Sequence, residues 1–238
     1  MLRTLWWFTY FFGYLIYSLP TIEKVKRLAP SMPVEERDTI IHEKPKHWAK
    51  SLVNITGSNI RVIGEEKVPS GPVLFVSNHQ GNFDVPILIG FLQKPLGFIS
   101  KVEVKKIPFI PRWMEAMNCV FIDRKERRKA IQSIREGIAT LKEGHSLVIF
   151  PEGTRSKGNE MGEFKKGGLK LATESRVPVV PVTISGSYNI MEKSKFGFQP
   201  ANVTVTISDP IYIPAEGKVD GTELGIEVQN RIKEHLIH

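Results

Sequence analysis

Short apolar runs along this chain alternate with longer stretches in which apolar positions recur every three or four residues. Val73-Leu74-Phe75-Val76 and Leu147-Val148-Ile149-Phe150 have the length and content of buried strands, and 59–63, 96–100, 119–122 and 203–207 read as further short strands. Val177-Pro178-Val179-Val180-Pro181-Val182-Thr183-Ile184 is also strand-like, but its prolines predict an edge strand or an irregular extended segment. Helical spacing covers 83–92. It also runs from Pro33 towards Gly57, with an interruption expected near Pro45. Arg124 to Lys129 open another helix, ended by Gly144, whose Ile131, Ile134, Ile138 and Leu141 share one face and are expected in the core. A last helix covers 223–236. Strands and helices in alternation predict an α/β fold with a mostly parallel central sheet flanked by helices.

The first twenty residues break this pattern. From Leu5 to Leu19 there is no charge, and three of the five tyrosines and two of the four tryptophans of the chain lie here. Rings of this kind favour the bilayer interface. Such a helix would be about 22 Å long, short of the ~30 Å hydrocarbon core, so it is expected to lie in one leaflet rather than span it. Lys24, Lys26 and Arg27 follow, where anionic headgroups could meet them. Two other readings fit: a signal peptide, for which the aromatics are untypical, and a helix packed on the domain's own core. The expected division is an N-terminal, membrane-associating helical region (1–57) and an α/β domain (58–238).

Composition narrows the class. With 41% hydrophobic and 24% charged residues the chain is globular, not disordered. A net charge of +8 suggests an anionic partner: nucleic acid, acidic lipid or a phosphorylated substrate. Nucleic acid is disfavoured, because no RRM, helix-turn-helix or zinc pattern is present and the aromatics cluster in an apolar segment. The lone Cys119 excludes an intramolecular disulfide. No metal-ligand spacing occurs.

Two predicted strands end in polar turns. The first leads into Asn78-His79-Gln80-Gly81-Asn82-Phe83-Asp84, the second into Pro151-Glu152-Gly153-Thr154-Arg155-Ser156. In a parallel sheet such turns converge on one crevice. A histidine there can take a proton from a hydroxyl, and a carboxylate on its other nitrogen would fix its tautomer. The same residues also fit a turn in which Asn, Gly and Asp serve backbone geometry. Arg155 can grip a phosphate bidentately and Gly153 lets backbone approach a ligand. Cations at the start of the 124–129 helix oppose its dipole, which anion binding would explain; a solvated face is the alternative. Lys101, Lys105, Lys106 and Arg112, mixed with apolar residues, suit a surface meeting a phosphate and an acyl chain, or a solvated loop with buried anchors. Gly162 to Gly168 superficially resembles a P-loop, but Leu169 stands where lysine should.

Four blocks together resemble the 1-acylglycerol-3-phosphate acyltransferases, the PlsC-like branch of the glycerolipid acyltransferases. They are Asn78-His79 through Asp84, Phe121-Ile122-Asp123-Arg124, Phe150 through Arg155, and Val177 through Pro181. The resemblance implies the glycerolipid acyltransferase fold, with lysophosphatidic acid as acceptor and acyl-CoA or acyl-carrier protein as co-substrate, no further cofactor and no metal; the alternatives are another lysolipid or glycerol 3-phosphate as acceptor, or a non-catalytic lipid-binding protein. It makes His79 the general base and Asp84 its partner. It assigns Arg124, Glu152, Gly153 and Arg155 to the acceptor site, Pro181 to the acyl-binding region and Lys101 to a basic position before the second block. It further implies a membrane-associated enzyme with its active site on the cytoplasmic side, and direct transfer rather than an acyl-enzyme on Cys119 or Ser77. The chain departs from the family where many members carry glycines, having Pro111 and Asn118.

Overall fold

In the computed structural model, which describes residues 2–165, 167–194 and 197–236, the strands are β1 (Asn59–Ile63), β2 (Leu74–Ser77), β3 (Gly97–Lys101), β4 (Val120–Ile122), β5 (Leu147–Ile149), β6 (Val179–Ser185) and β7 (Asn202–Ile207). They lie side by side in the order β1-β7-β6-β2-β5-β3-β4. Neighbours run parallel except β6 and β7. The helices are α1 (Leu2–Tyr17), α2 (Leu19–Val25), α3 (Val34–Thr56), α4 (Asp84–Phe91), α5 (Ile110–Ala116), α6 (Arg127–Lys142), α7 (Lys170–Ser175), α8 (Tyr188–Met191) and α9 (Gly221–Glu234).

The continuous apolar runs are explained by helices on both faces of the sheet. Phe75, Phe98, Val148 and Val180 point to the layer of α1 to α5; Leu74, Val76, Leu147 and Val179 point to the layer of α6, α7 and α9. Neither face of the central strands meets water, so no polar alternation appears in their sequences.

Three expectations change. β6 is central, paired with both β2 and β7, and all seven of its residues are buried. Its Pro181 is tolerated because the missing N–H falls in a gap between two stretches of pairing. The ladder to β7 ends at Val182↔Ile207, and Val179 bridges Ile211 beyond it. The Pro181 carbonyl still accepts from the Ser208 N–H at 3.0 Å. α3 runs unbroken through Pro45, which is buried inside it. The helix lies close on α4, where a Cβ on Gly90 would come within 2.7 Å of the Lys50 nitrogen, so tertiary packing overrides the local cost of the proline. Finally, the isoleucines of α6 are not uniformly core: Ile138 and Leu141 are buried, but Ile131 is 47% exposed. Arg124 itself precedes the helix, which starts at Arg127.

At the N-terminus α1 does two things. Trp7 and Leu15 are buried, Trp7 donating its indole N–H to the Leu52 carbonyl at 3.0 Å. The opposite face leaves Leu2, Leu5, Trp6 and Ile16 exposed. Among the described residues, no helix is long and apolar enough to cross a membrane.

The departures at Pro111 and Asn118 are accommodated locally. Pro111 sits in the first turn of α5, where its lost N–H has no helical partner to miss. Asn118 has φ +56°, a left-handed conformation that glycine adopts freely and asparagine tolerates.

Candidate active site

β6, β2 and β5 are adjacent, and all three end at the same edge of the sheet. The side chain of Asn78 prolongs the β2–β6 pairing like a peptide group, donating to the Ile184 carbonyl and accepting its N–H, both at 2.8 Å. On the other side the Ser156 N–H donates to the His79 carbonyl at 2.8 Å and the Lys157 N–H to that of Gln80 at 3.0 Å. The first turn is thus pinned between its two neighbours.

Asp84 opens α4 and is fully buried. Its Oδ2 lies 2.6 Å from His79 Nδ1 and also accepts the N–H groups of Gln80 (2.7 Å) and Gly81 (2.9 Å). Ser187, from the turn after β6, donates to Oδ1. A carboxylate so placed accepts, so Nδ1 carries the proton and Nε2 presents its lone pair. The imidazole stacks on Phe150, with centroids 4.1 Å apart and planes at 16°, and 18% of the side chain meets solvent.

Glu152 acts behind the histidine. Its Oε1 accepts the His79 N–H at 2.6 Å and its Oε2 the Gly162 N–H at 2.7 Å. Burial pushes its carboxyl up from the ordinary range, against the pull of those N–H groups. Glu152 is a strut between loops. Gly153 has φ +73°, and a Cβ there would stand 2.6 Å from Arg124 Nη1 and 3.0 Å from Lys165 Nζ. Only glycine lets both cations come so near. Arg124 donates to the Gly153 carbonyl, and desolvation pulls its guanidinium below the usual arginine range.

Arg155 donates to the Asn82 side-chain oxygen and lies 3.6 Å from Glu192 Oε1. That same carboxylate oxygen accepts the Asn82 N–H at 2.7 Å. Burial raises the pKa of Glu192. The structure therefore gathers His79, Asp84, Glu152, Gly153, Arg124 and Arg155 at one edge. It does not bring in the other two candidates. Lys101 is exposed at the end of β3, outside the hydrogen-bonded cluster. Pro181 is buried in β6 opposite Val76.

Ser187, Glu192, Gln80 and Phe150 were not singled out by sequence reasoning. For Ser187 a signal existed: Ser185-Gly186-Ser187 is a third polar turn following an apolar run. Nothing in the sequence marks Glu192, which reaches Asn82 across 110 positions.

Two cavities border this cluster. One, of about 580 Å³, is apolar and lined by Trp7 and Phe11 of α1, Asn82 and Phe83 of the first turn, Phe98 and Trp113. The other, of about 540 Å³, reaches Phe150 and Gly153. Val104, Ile107 and Ile110 of the basic segment line the apolar cavity, whereas Lys105 lies over the Phe121 ring at 4.4 Å. Two nucleophile candidates are poorly placed. Cys119 accepts the Phe98 N–H, and burial pushes its thiol up to about 12; the fully buried Ser77 donates to the Asn78 carbonyl at 3.0 Å.

A family model described as Acyltransferase matches residues 59–185, more than half of the chain and the whole of this cluster up to Ser185. The chain belongs to the acyltransferase family. Among relatives of this acyltransferase, a probable 1-acyl-sn-glycerol-3-phosphate acyltransferase of Mycoplasma pneumoniae is 36% identical over 76% of this chain and 68% of its own. A chloroplast 1-acyl-sn-glycerol-3-phosphate acyltransferase of Arabidopsis thaliana is 38% identical over 72% of this chain and 48% of its own. The crystal structure of the acyltransferase PlsC from Thermotoga maritima superposes with a TM-score of 0.81 at 28% identity, covering 98% of this chain and 94% of that one. At that coverage the likeness takes in the N-terminal helices as well as the sheet.

Proposed function

We propose that this acyltransferase moves an acyl group from an acyl thioester, acyl-CoA or acyl-carrier protein, to the free hydroxyl of 1-acylglycerol 3-phosphate, giving phosphatidic acid for phospholipid synthesis. The observation that carries the reading is the His79 Nδ1–Asp84 Oδ2 contact of 2.6 Å at a crevice flanked by two arginines. His79 Nε2 removes the hydroxyl proton as the oxygen attacks the thioester carbon, and Asp84 stabilises the imidazolium that forms. The tetrahedral intermediate collapses with cleavage of the C–S bond, and the thiolate leaves, taking up the proton from the imidazolium. A buried thiol at about 12 and a serine engaged with backbone favour this direct transfer over an acyl-enzyme. Arg124 and Arg155 hold the acceptor phosphate, and Glu152 fixes the backbone of the base. The apolar cavity takes the acyl chain.

Substrate and product partition into lipid, so the enzyme works at a membrane surface, with its active site on the cytoplasmic side. α1 supports the membrane part of this reading: its Trp7, Phe11 and Leu15 line the apolar cavity, while Leu2, Leu5, Trp6 and Ile16 face solvent. The test is a thioester-release assay on purified protein with lysophosphatidic acid, other lysolipids and glycerol 3-phosphate as acceptors. Release should be fastest with lysophosphatidic acid, and His79→Ala should lower turnover by about a thousandfold. Undiminished transfer by that variant would refute the mechanism.

A further inference from the structure

The second cavity shares Arg124, Gly153 and Phe150 with the site just described, but most of its lining has no part in that reaction. It lies between α6 and the ends of β3, β4 and β5. Its floor is formed by Ile99, Ile122, Ile134 and Ile149, and Ile131 stands half-exposed at its edge. Among the described residues its rim carries Arg124, Arg127, Arg135, Lys165 and Lys170 against a single carboxylate, Glu174. None of these five cations is in an ion pair with a described residue. Two features noted in the sequence find a reason here: Arg127 stands in the first turn of a helix whose dipole it opposes, and the start of the isoleucine stripe of α6, at Ile131 and Ile134, faces an open cleft while Ile138 and Leu141 enter the core.

A thioester donor has an apolar tail and a polyanionic carrier, and its reactive carbonyl must lie between them. The molecule repeats that order. Phe98 lines the apolar cavity, Phe150 lines the cationic cleft, and the two rings stack with centroids 6.4 Å apart while His79 stacks on Phe150. With Arg124 shared with the acceptor phosphate, four cations remain, more than one phosphate group needs.

We infer that this cleft binds the nucleotide end of a coenzyme A thioester, with the adenine on the isoleucine floor and the 3′-phosphate and 5′-diphosphate on Arg127, Arg135, Lys165 and Lys170. An apolar slot recessed below a cationic rim fits a planar base with phosphates attached. The surface of a carrier protein would need only the rim. The inference depends on the acyl-transfer reading for its purpose, but not for its binding test.

That test uses the full chain and adenosine 3′,5′-bisphosphate as probe, with binding followed by calorimetry. The bisphosphate should bind, and the double variant Arg127→Ala/Arg135→Ala should weaken it about tenfold or more, as expected for charge-assisted contacts. In turnover, the ratio of kcat/KM for acyl-CoA to that for acyl-pantetheine, which lacks the nucleotide, should fall by a similar factor. No binding, or binding that the variant leaves unchanged, overturns the inference. So does displacement of the bisphosphate by glycerol 3-phosphate, which would give the cleft to the acceptor. An equal loss with both donors would make the arginines structural, and a loss confined to an acyl-carrier-protein donor would make the rim a protein-docking surface. If the bisphosphate binds in a variant-sensitive way but no acyl group is transferred to any acceptor, the cleft assignment stands and the acyl-transfer reading fails.

Discussion

Asp84 accepts from the His79 ring, from two backbone N–H groups and from Ser187, so the orientation of His79 is fixed by residues on two different turns. The arginines are held less independently of the protein. Arg124 and Arg155 both hydrogen-bond protein oxygens, and Arg155 also faces the buried Glu192. If they serve the acceptor phosphate, Arg124→Ala and Arg155→Ala should each cost about 2 to 4 kcal/mol in kcat/KM with a phosphorylated acceptor. Lysine at either position should recover only part, since it lacks the bidentate fork. The comparison to make is with an unphosphorylated lysolipid. Equal losses on both acceptors would show that these side chains only brace the turns.

At the scale of elements, α3 and α4 are coupled through a buried histidine. His42 lies in α3, its Nε2 has no hydrogen-bond partner, and burial, with the charge of Lys46, pushes its pKa down from 6.5 to about 4. Between those values the unfolded chain takes up a proton that the folded one refuses, so stability must fall as pH drops from about 6.5 to about 4. The loss attributable to His42 is about 3 kcal/mol across the window. Urea unfolding at several pH values should show this slope, and His42→Leu should flatten it while leaving stability at neutral pH within about 1 kcal/mol. An unchanged slope in that variant would assign the acid sensitivity to other groups. Because α4 begins with Asp84, loosening of this pair of helices would reach the site.

On the scale of the whole molecule, α1 joins the core to the outside. Removing the helix would take Trp7 and Leu15 out of the core, so the informative change is to the outer face alone. With Leu2, Leu5, Trp6 and Ile16 all replaced by serine, the protein should keep its fold and bind vesicles at least about a hundredfold more weakly. This corresponds to about 1 kcal/mol or less for each half-buried side chain. Binding by the unsubstituted protein should survive a wash at about 1 M salt, where the Debye length is only ~3 Å and electrostatic attraction is screened. Co-sedimentation checks both. If the quadruple variant bound vesicles as well as the parent, the cationic surface around α6 would be the docking face.

The sequence by itself determined the α/β class, most of the strands and the two turns bearing His79, Asp84, Gly153 and Arg155. Each of these is a local matter: a run of apolar residues long enough for a strand, or a break rich in polar residues and glycine. Tertiary structure decided the rest. The prolines of β6 could not reveal a central strand, because their tolerance depends on where the pairing with β7 happens to lapse. The 3.6-residue period of α6 gave its apolar face but not what stands opposite, and that proved to be partly an open cleft. Ser187 reaches Asp84 across 103 positions and Glu192 reaches Asn82 across 110. No window along the chain holds such a pair. They meet because β6 and β2 lie side by side and end at the same edge, which is a property of the sheet and not of either segment.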